Sequence, residues 1–266
     1  MSPMKVSVFT KPWKDVPLTE LCKFVKGAGF DGVELCVRPG FHLEPERAER
    51  GLPEVAAHLK DYGLEIYSVA APLDEAVFAG CAAAGIGVVR TMADIGDDGY
   101  LASVRRHQQL YADLLPLTEK YRVTIGVQNH CDKYVCNAAG LLHLIERFDP
   151  AHVGAIWDCA HNGLQGEEPE MAIDMLWSRL SMVNFKNAFW MRANGPEAEH
   201  PEWKHYFTTG NQGLASWKRV AAELNRRKYE GIVCMTAEYE DQGNVNTYIQ
   251  QDIRYLKRLL AGEAEA

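Results

Sequence analysis

The stretch that decides the fold is Ala28-Gly29-Phe30-Asp31-Gly32-Val33-Glu34-Leu35. The helical pattern before it has core-facing residues at Leu18, Leu21, Cys22 and Val25. Gly29 suits the end of this helix, because glycine adopts the left-handed conformation of a helix C-terminus without steric cost. The apolar run after Gly32 is typical of a strand that is buried on both faces. The stretch therefore predicts a helix that leads directly into a buried strand.

The same unit recurs along the whole chain. We predict strands at Lys5-Thr10, Asp31-Val37, Leu64-Ala70, Val88-Met92, Val123-His130, Val153-Asp158, Ser181-Lys186 and Ile232-Glu238. Amphipathic helical stretches separate these strands, a pattern that calls for a parallel sheet covered by helices. An open doubly wound sheet usually has about five or six strands and often carries a glycine-rich phosphate loop, which is missing here. We therefore predict an α/β fold, a single (β/α)₈ TIM barrel over residues 1–266.

Two segments fall outside this repeat. Residues 189–213 form the longest predicted loop and follow the seventh strand. The loop is rich in aromatic and basic residues, including Trp190 and Arg192, and we interpret it as an active-site lid that excludes water. Aromatic residues and arginine are also common at protein interfaces, so a contact in a homo-oligomer is an equal alternative. Residues 261–266 are predicted to be a flexible tail.

Composition excludes several classes of partner. The chain has 28 basic and 36 acidic residues, a formal net charge of -8, and no clustered basic surface for a phosphate backbone, so we expect no nucleic acid partner. No apolar run reaches the ~18 residues of a membrane span, and the N-terminus lacks a secretory pattern. Seven cysteines, an odd and scattered set, favour reduced thiols over a disulfide frame. These features together predict a cytoplasmic protein with no membrane partner.

Polar residues cluster where the later strands end. They are Gln128, Asn129 and His130 after the fifth strand, Asp158 and His161 after the sixth, Asn184 and Lys186 in the seventh, and Glu238 and Glu240 in the eighth. The carboxyl ends of barrel strands converge on the axis, so these groups are expected to share one cavity. A buried carboxylate is costly unless it is paired or coordinated. Asp158 and Glu238 therefore need a cation, either Lys186 or a divalent metal.

Taken together, these motifs resemble the xylose isomerase-like TIM-barrel superfamily of sugar and sugar-phosphate isomerases and epimerases. The marks are residues 29–35 at the second strand, Asn129-His130, the Asp158-x-x-His161 pair and the acidic end of the eighth strand. The resemblance implies carbohydrate metabolism, and an enzyme that moves a proton next to a carbonyl of a small, polyhydroxylated, sugar-like substrate. With it we predict a substrate-binding set of Glu34, Gln128, His130, His161 and Asn184 at the strand ends, to which the lid loop adds Trp190 and Arg192. An equal alternative for Glu34 is that it orients a neighbouring loop through hydrogen bonds, and for His161 that it is a surface residue without a functional role.

The family's metal site is altered in this sequence. Members usually hold a divalent metal with a glutamate, an aspartate, a histidine and a glutamate on the last four strands. The matching residues here are Gln128, Asp158, Asn184 and Glu238, so the expected site is degenerate. Amide oxygens are neutral ligands, which suits Mg²⁺ or Mn²⁺ better than Zn²⁺, and the alternative is no metal at all. An amide also cannot act as a general base, so the family's two-base mechanism cannot run unchanged.

Several mechanisms and functions follow from this altered set. A metal can still bind weakly, or Lys186 can replace it while Glu238 acts as a single base and Asp158 positions the substrate. A third possibility makes Lys186 the Schiff-base nucleophile of a lyase or aldolase. A barrel that binds a sugar-like ligand without turnover is the alternative from another class. A thiolate-rich zinc site around His130, Cys131 and Cys136 is a weaker hypothesis, because buried cysteines are common packing residues.

Overall fold

A computed structural model describes residues 4–263 of the chain. Within that range the strands are β1 Lys5–Phe9, β2 Gly32–Cys36, β3 Glu65–Ala70, β4 Val88–Met92, β5 Thr124–Gln128, β6 Val153–Asp158, β7 Leu180–Phe185, β8 Asn187–Arg192, β9 Trp203–Thr208 and β10 Ile232–Met235. The helices are α1 Leu18–Ala28, α2 Ala48–Lys60, α3 Glu75–Ala84, α4 Tyr100–Tyr121, α5 Ala138–Ile145, α6 Cys159–Leu164, α7 Pro169–Leu176, α8 Trp217–Arg226 and α9 Val245–Leu260.

Eight of these strands close into a parallel barrel, which confirms the predicted (β/α)₈ fold. Their order around the barrel is β1-β10-β7-β6-β5-β4-β3-β2, and β10 serves as the eighth barrel strand. The predicted strands at Val88–Met92 and Val153–Asp158 have the same bounds in the structure. Among residues 4–263, no helix combines the length and the apolar character that a membrane span requires.

Two apolar layers hold the barrel. The inner layer fills the lumen with Phe9, Cys36, Ala70, Val88, Ile156, Met182 and Cys234. The outer layer packs the strands against the helices, and α1 contributes its predicted buried residues Leu21, Cys22 and Val25. The helix ends as expected at Gly29, whose φ is +98°. A filled lumen below the strand ends confines any ligand site to the barrel mouth.

The eighth barrel strand is shorter than predicted. It ends at Met235 instead of Glu238, because Ala237 has a φ of +52° in the left-handed region and takes the backbone out of the extended conformation. The alternation of strand side chains therefore does not extend to Glu238 and Glu240. The prediction that strand alternation places the carboxylates of Glu238 and Glu240 on the same side of the sheet is therefore wrong.

The predicted loop over residues 189–213 is largely an antiparallel hairpin of β8 and β9. Asn187 pairs with Thr208 at its base and Arg192 with Trp203 at its far end. The rings of Phe189 and Tyr206 stack across it with centroids 5.1 Å apart. The hairpin begins two residues after β7 ends, so it rises from the carboxyl end of the barrel. Of the predicted tail, residues 261–263 follow α9 as a turn, and residues 264–266 lie outside the described range.

Candidate active site

A buried ion pair joins β2 to β4 inside the barrel. Arg90 Nε donates to Glu34 Oε1 at 2.8 Å, and Ser68 Oγ donates to the same oxygen at 3.2 Å. Glu34 is fully buried and Arg90 nearly so. The guanidinium also lies 4.5 Å from the centroid of the Phe9 ring. Glu34 is predicted to contact substrate, but in the structure its partner is Arg90. The sequence analysis does not identify this pair. An arginine within an apolar strand was the signal that could have indicated it.

Gln128 links this ion pair to Asp158. Its amide oxygen accepts from Arg90 Nη1 at 2.5 Å, and its amide nitrogen donates to Asp158 Oδ2 at 2.9 Å. The other oxygen of Asp158 accepts the backbone N–H groups of Ala160 and His161 at the start of α6, at 3.0 and 3.2 Å. Both oxygens of this buried carboxylate are therefore engaged. Burial raises the pKa of Asp158 to about 6, while the Lys186 charge and the two N–H groups oppose the rise.

Glu238 lies between two ammonium groups. Lys186 Nζ donates to its Oε2 at 2.9 Å, and Lys11 Nζ donates to its Oε1 at 2.5 Å. Burial alone would raise the pKa of Glu238, but the two lysines outweigh it and hold that pKa well below its ordinary value. Lys186 Nζ also lies 3.6 Å from the centroid of the Phe207 ring on β9. Lys11 was missed, although it is the first charged residue after the apolar run of β1.

The structure places Glu238, rather than Glu240, in this network. The side chain of Glu240 is 41% exposed and its nearest cation is Lys204, 3.7 Å away on β9. The side chain of Glu238 is 23% exposed, so it reaches both the buried network and the barrel mouth. Of the two acidic residues, Glu238 is therefore the one that contacts Lys186 and Lys11.

Several buried polar atoms at the mouth have no hydrogen-bond partner within the described residues. They are both side-chain polar atoms of Asn184, Arg90 Nη2, Thr236 Oγ1 and both ring nitrogens of His161. Asn184 stands between Asp158 and Cys234 in the register of the barrel. Buried polar groups in folded proteins are almost always hydrogen-bonded, so the free atoms of Asn184, Arg90 and Thr236 are suited to a ligand rich in hydroxyl groups.

The remaining predicted residues are spread over the rim. His130 lies beside His161, with ring centroids 4.0 Å apart. Trp190 donates from Nε1 to the carbonyl oxygen of Leu164 at 2.9 Å, which ties the hairpin to α6. Arg192 is at the far end of the hairpin, where its Nε donates to Asn194 at 3.2 Å. The structure therefore brings His130 close to the network and leaves Arg192 remote from it.

The comparison with protein families agrees with this architecture. The model of the xylose isomerase-like TIM barrel matches residues 22–259, most of the chain. The chain belongs to the xylose isomerase-like TIM barrel family. No curated protein sequence gives a significant match.

Solved structures of similar shape span nearly the whole of this family member. A probable 3-DHS dehydratase involved in petrobactin synthesis, from Bacillus anthracis, is 16% identical with a TM-score of 0.71, over 96% of this chain and 99% of its own. 3-Keto-D-glucoside 4-epimerase from E. coli is 15% identical with a TM-score of 0.70, over 96% and 99%. D-Psicose 3-epimerase from Clostridium cellulolyticum is 13% identical with a TM-score of 0.73, over 98% and 100%. At these identities the likeness establishes the shared fold.

The four residues at the family's metal positions do not fit a divalent cation. The oxygen of Gln128 accepts from Arg90, and both oxygens of Asp158 accept N–H groups. Both oxygens of Glu238 accept ammonium groups, and these cations would repel a metal ion. Asn184 offers only a neutral amide. Two other groups of residues do have ligand spacing: His130, Cys131 and His161, and Cys131, Asp132 and His205.

Proposed function

We propose that this family member is a sugar isomerase or epimerase that moves a proton at the carbon next to a carbonyl of a small polyhydroxylated substrate. The observation that carries the proposal is the Glu238 carboxylate at the barrel mouth, held between Lys186 and Lys11. The arrangement places a proton acceptor and two oxyanion-stabilising ammonium groups within one hydrogen-bond network.

Lys186 performs the charge stabilisation in this mechanism. The substrate carbonyl oxygen accepts a hydrogen bond from Lys186 Nζ, which weakens the contact of that ammonium with Glu238. The carboxylate becomes more basic at that moment, because one of the two cations that lower its pKa has turned to the substrate. Glu238 then takes the proton from the adjacent carbon, and the electron pair of the C–H bond moves onto the carbonyl oxygen as an enolate. Lys186 stabilises this negative charge.

The same carboxylate returns the proton. Because Gln128 is an amide and cannot accept a proton, a second base on the fifth strand is missing from the network. The proton therefore leaves and returns on the Glu238 face of the substrate. Return to the former carbonyl carbon, with the proton of the adjacent hydroxyl group passed to the enolate oxygen, moves the carbonyl by one carbon and interconverts an aldose and a ketose without net change in oxidation state. This single-base geometry favours isomerisation over inversion of a stereocentre.

The charges of the network favour an uncharged sugar over a sugar phosphate. Its three cations, Lys11, Lys186 and Arg90, face three carboxylates, Glu34, Asp158 and Glu238, so no positive charge is left over for an anionic group. Asn184, Thr236 and Arg90 Nη2 supply free hydrogen-bonding atoms for hydroxyl groups. The hairpin places Phe207 over Lys186, and we propose that it acts as the lid that keeps water from the enolate.

Proton exchange tests the proposal. The full chain is incubated in deuterated water with a panel of aldoses and ketoses, and deuterium at the carbon next to the carbonyl is followed by NMR. We expect exchange with at least one sugar, its loss in Glu238→Gln, and its retention in Glu240→Gln, a matched change at the exposed carboxylate. Exchange that survives in full in Glu238→Gln overturns the role of Glu238. Sugar binding without exchange in the unaltered protein supports a non-catalytic binder instead.

A Schiff-base lyase is a second candidate function. Its support is the position of Lys186, whose side chain is 4% exposed and whose ammonium shares one carboxylate with that of Lys11. Reduction with borohydride in the presence of a carbonyl substrate traps a Schiff base, and mass spectrometry locates it. A trapped adduct at Lys186 supports the lyase, and its absence across the sugars that exchange protons excludes it.

A further inference from the structure

A cluster of three potential metal ligands lies beside the network just described. His130 and Cys131 follow β5, and His161 lies in the first turn of α6. One ligand atom from each of the three side chains lies within 4.8 Å of the others. Cys131 and His161 are fully buried. None of these groups belongs to the four positions at which the family resemblance places a metal, and none carries the proton transfer proposed above.

His161 supplies an independent sign that something binds here. Its imidazole is completely buried, and neither ring nitrogen has a hydrogen-bond partner among the described residues. The nearest carboxylate oxygen, Asp158 Oδ2, is 3.9 Å from Nε2, beyond hydrogen-bond distance. Buried polar groups in folded proteins are almost always paired, so an unpaired, fully buried imidazole marks a place where a ligand satisfies it.

The backbone contact of the neighbouring His130 leaves one of its ring nitrogens free for ligation. Its Nδ1 contacts the backbone carbonyl oxygen of Cys131 at 2.9 Å, so the proton resides on Nδ1 and the lone pair on Nε2. A backbone carbonyl in this role is the common orienting partner of a metal-bound histidine. Burial lowers the pKa of His130 and that of His161, which keeps both rings neutral and able to donate electrons.

We propose that His130, Cys131 and His161 bind one zinc ion. Two imidazoles and a thiolate form a set that selects zinc over the Mg²⁺ or Mn²⁺ preferred by oxygen ligands. Tetrahedral zinc with bonds of about 2.0–2.3 Å separates its ligand atoms by about 3.3–3.7 Å, so the side chains need to close by at most about 1.5 Å from the 4.8 Å limit. Binding replaces the thiol proton of Cys131, and one proton is released to solvent for each ion bound.

The hairpin offers a further ligand beside this cluster. The Cys131 sulphur also lies within 4.8 Å of ligand atoms of Asp132 and His205. The Nδ1 atom of His205 on β9 lies 3.6 Å from Asp132 Oδ1, and both side chains are partly exposed, which gives the ion a route from solvent. At His130 the charges of Asp132 and Glu238 oppose that of Lys186, whereas His161 is surrounded by the charges of Lys186 and Arg90, so the negative charge at this site comes from the Cys131 thiolate and from Asp132. A zinc ion here would tie the hairpin to the β5 end of the barrel.

Cobalt substitution tests this site directly. The full chain, kept reduced, is titrated with Co²⁺ alone, because cobalt takes zinc sites and reports its ligands by absorption. We expect one equivalent to bind, with a thiolate-to-cobalt charge-transfer band, the visible bands of a tetrahedral ion and displacement by Zn²⁺. If the unaltered protein does not bind Co²⁺, or binds it without the thiolate band, the proposal is overturned without the need for any variant.

Paired cysteine variants assign the sulphur. Cys131→Ser is expected to remove the charge-transfer band and weaken zinc binding by at least about 100-fold, since loss of a direct ligand exceeds the effect of losing an orienting partner. Cys136→Ser, a change at the neighbouring thiol, is expected to leave band and affinity unaltered. A band that persists in Cys131→Ser overturns the assignment. Because Glu238→Gln leaves all three ligands in place, its cobalt spectrum should match that of the unaltered protein, which separates this inference from the proposed function.

Discussion

Lys186 and Glu238 join the ends of two neighbouring barrel strands through a 2.9 Å contact between an ammonium and a carboxylate. Lys11, which follows β1 on the other side of β10, completes the bridge. Three adjacent strand ends thus converge on one carboxylate. The protein itself supplies the cation that a buried carboxylate requires, at the position where the family resemblance places a metal ligand.

Removal of the Lys186 ammonium should abolish most of the turnover. In Lys186→Met, the enolate loses its principal stabilising charge, and we expect kcat to fall by about 100- to 1,000-fold, the usual effect of losing one oxyanion donor. Lys204→Met is the matched control, because Lys204 is a half-exposed lysine whose partner is Glu240. Steady-state kinetics with the sugar identified by proton exchange measures both. Equal losses in the two variants would contradict a specific role for Lys186.

Glu238 should contribute stability that depends on pH. Its folded pKa is lowered, so its contribution is present above the ordinary glutamate pKa, about 4.5, and is lost as the pH falls through the folded value. At pH 7, Glu238→Gln leaves the nearly buried Lys186 unpaired, and we expect a loss of about 1–3 kcal/mol in the free energy of unfolding, reduced for partial solvent exposure. Urea unfolding at several pH values measures the difference. It should shrink below pH ~4, and a difference that stays constant down to acidic pH contradicts the assignment.

The buried ion pair of Glu34 and Arg90 should contribute mainly to the stability of the fold. Glu34→Gln leaves Arg90 charged and buried, and we expect a loss of about 3–5 kcal/mol in the free energy of unfolding. The double variant Glu34→Gln/Arg90→Met removes the charge as well, so it should be more stable than Glu34→Gln alone. Urea unfolding of the three proteins gives the comparison. A double variant less stable than the single one would show that Arg90 stabilises the fold mainly through its hydrogen bond to Gln128.

The sequence was sufficient for the barrel because each strand and helix is specified locally. Glycine ends such as Gly29 and apolar runs such as Val153–Asp158 lie within one unit, and eight such units leave little choice of topology. The ends of strands were less predictable. The left-handed backbone of Ala237 ends the eighth strand early. Alanine rarely adopts this conformation, so the sequence does not predict it.

The candidate site could be predicted only in part, because its contacts join distant segments. The strand-end rule brought Gln128, Asp158, Lys186 and Glu238 together from their positions alone. Arg90 was missed because its partner Glu34 is 56 residues away. The sequence does not predict the hairpin, because β8 and β9 pair only with each other, outside the repeating unit. The closeness of Cys131 to His161 depends on the meeting of the β5 and β6 ends in space.

The substitution Gln128→Glu, which restores the glutamate expected from the family resemblance on the fifth strand, should destabilise the fold because it places two carboxylates side by side. In Gln128→Glu, Asp158 loses the N–H donor at 2.9 Å and faces a second carboxylate instead. We expect the pKa of Asp158 to rise above its value of about 6, because like charges disfavour ionisation. A carboxyl group with a raised folded pKa stabilises the fold at low pH and loses that contribution as the pH rises from about 4 through the folded value. The variant should therefore be less stable than the unaltered protein by about 1–3 kcal/mol at pH 8 and by less at pH 5.

Thermal and urea unfolding at these two pH values measure the effect of Gln128→Glu, with Gln165→Glu as the control that adds the same charge on the exposed surface. The control should show little change at either pH, because an exposed carboxylate is solvated and screened. Arg90 limits the loss in Gln128→Glu, since its Nη1 lies 2.5 Å from the Gln128 oxygen and would pair with the new carboxylate. A variant as stable as the control at pH 8 would mean that Arg90 neutralises both acids, and that the Gln128 amide is dispensable for holding Asp158.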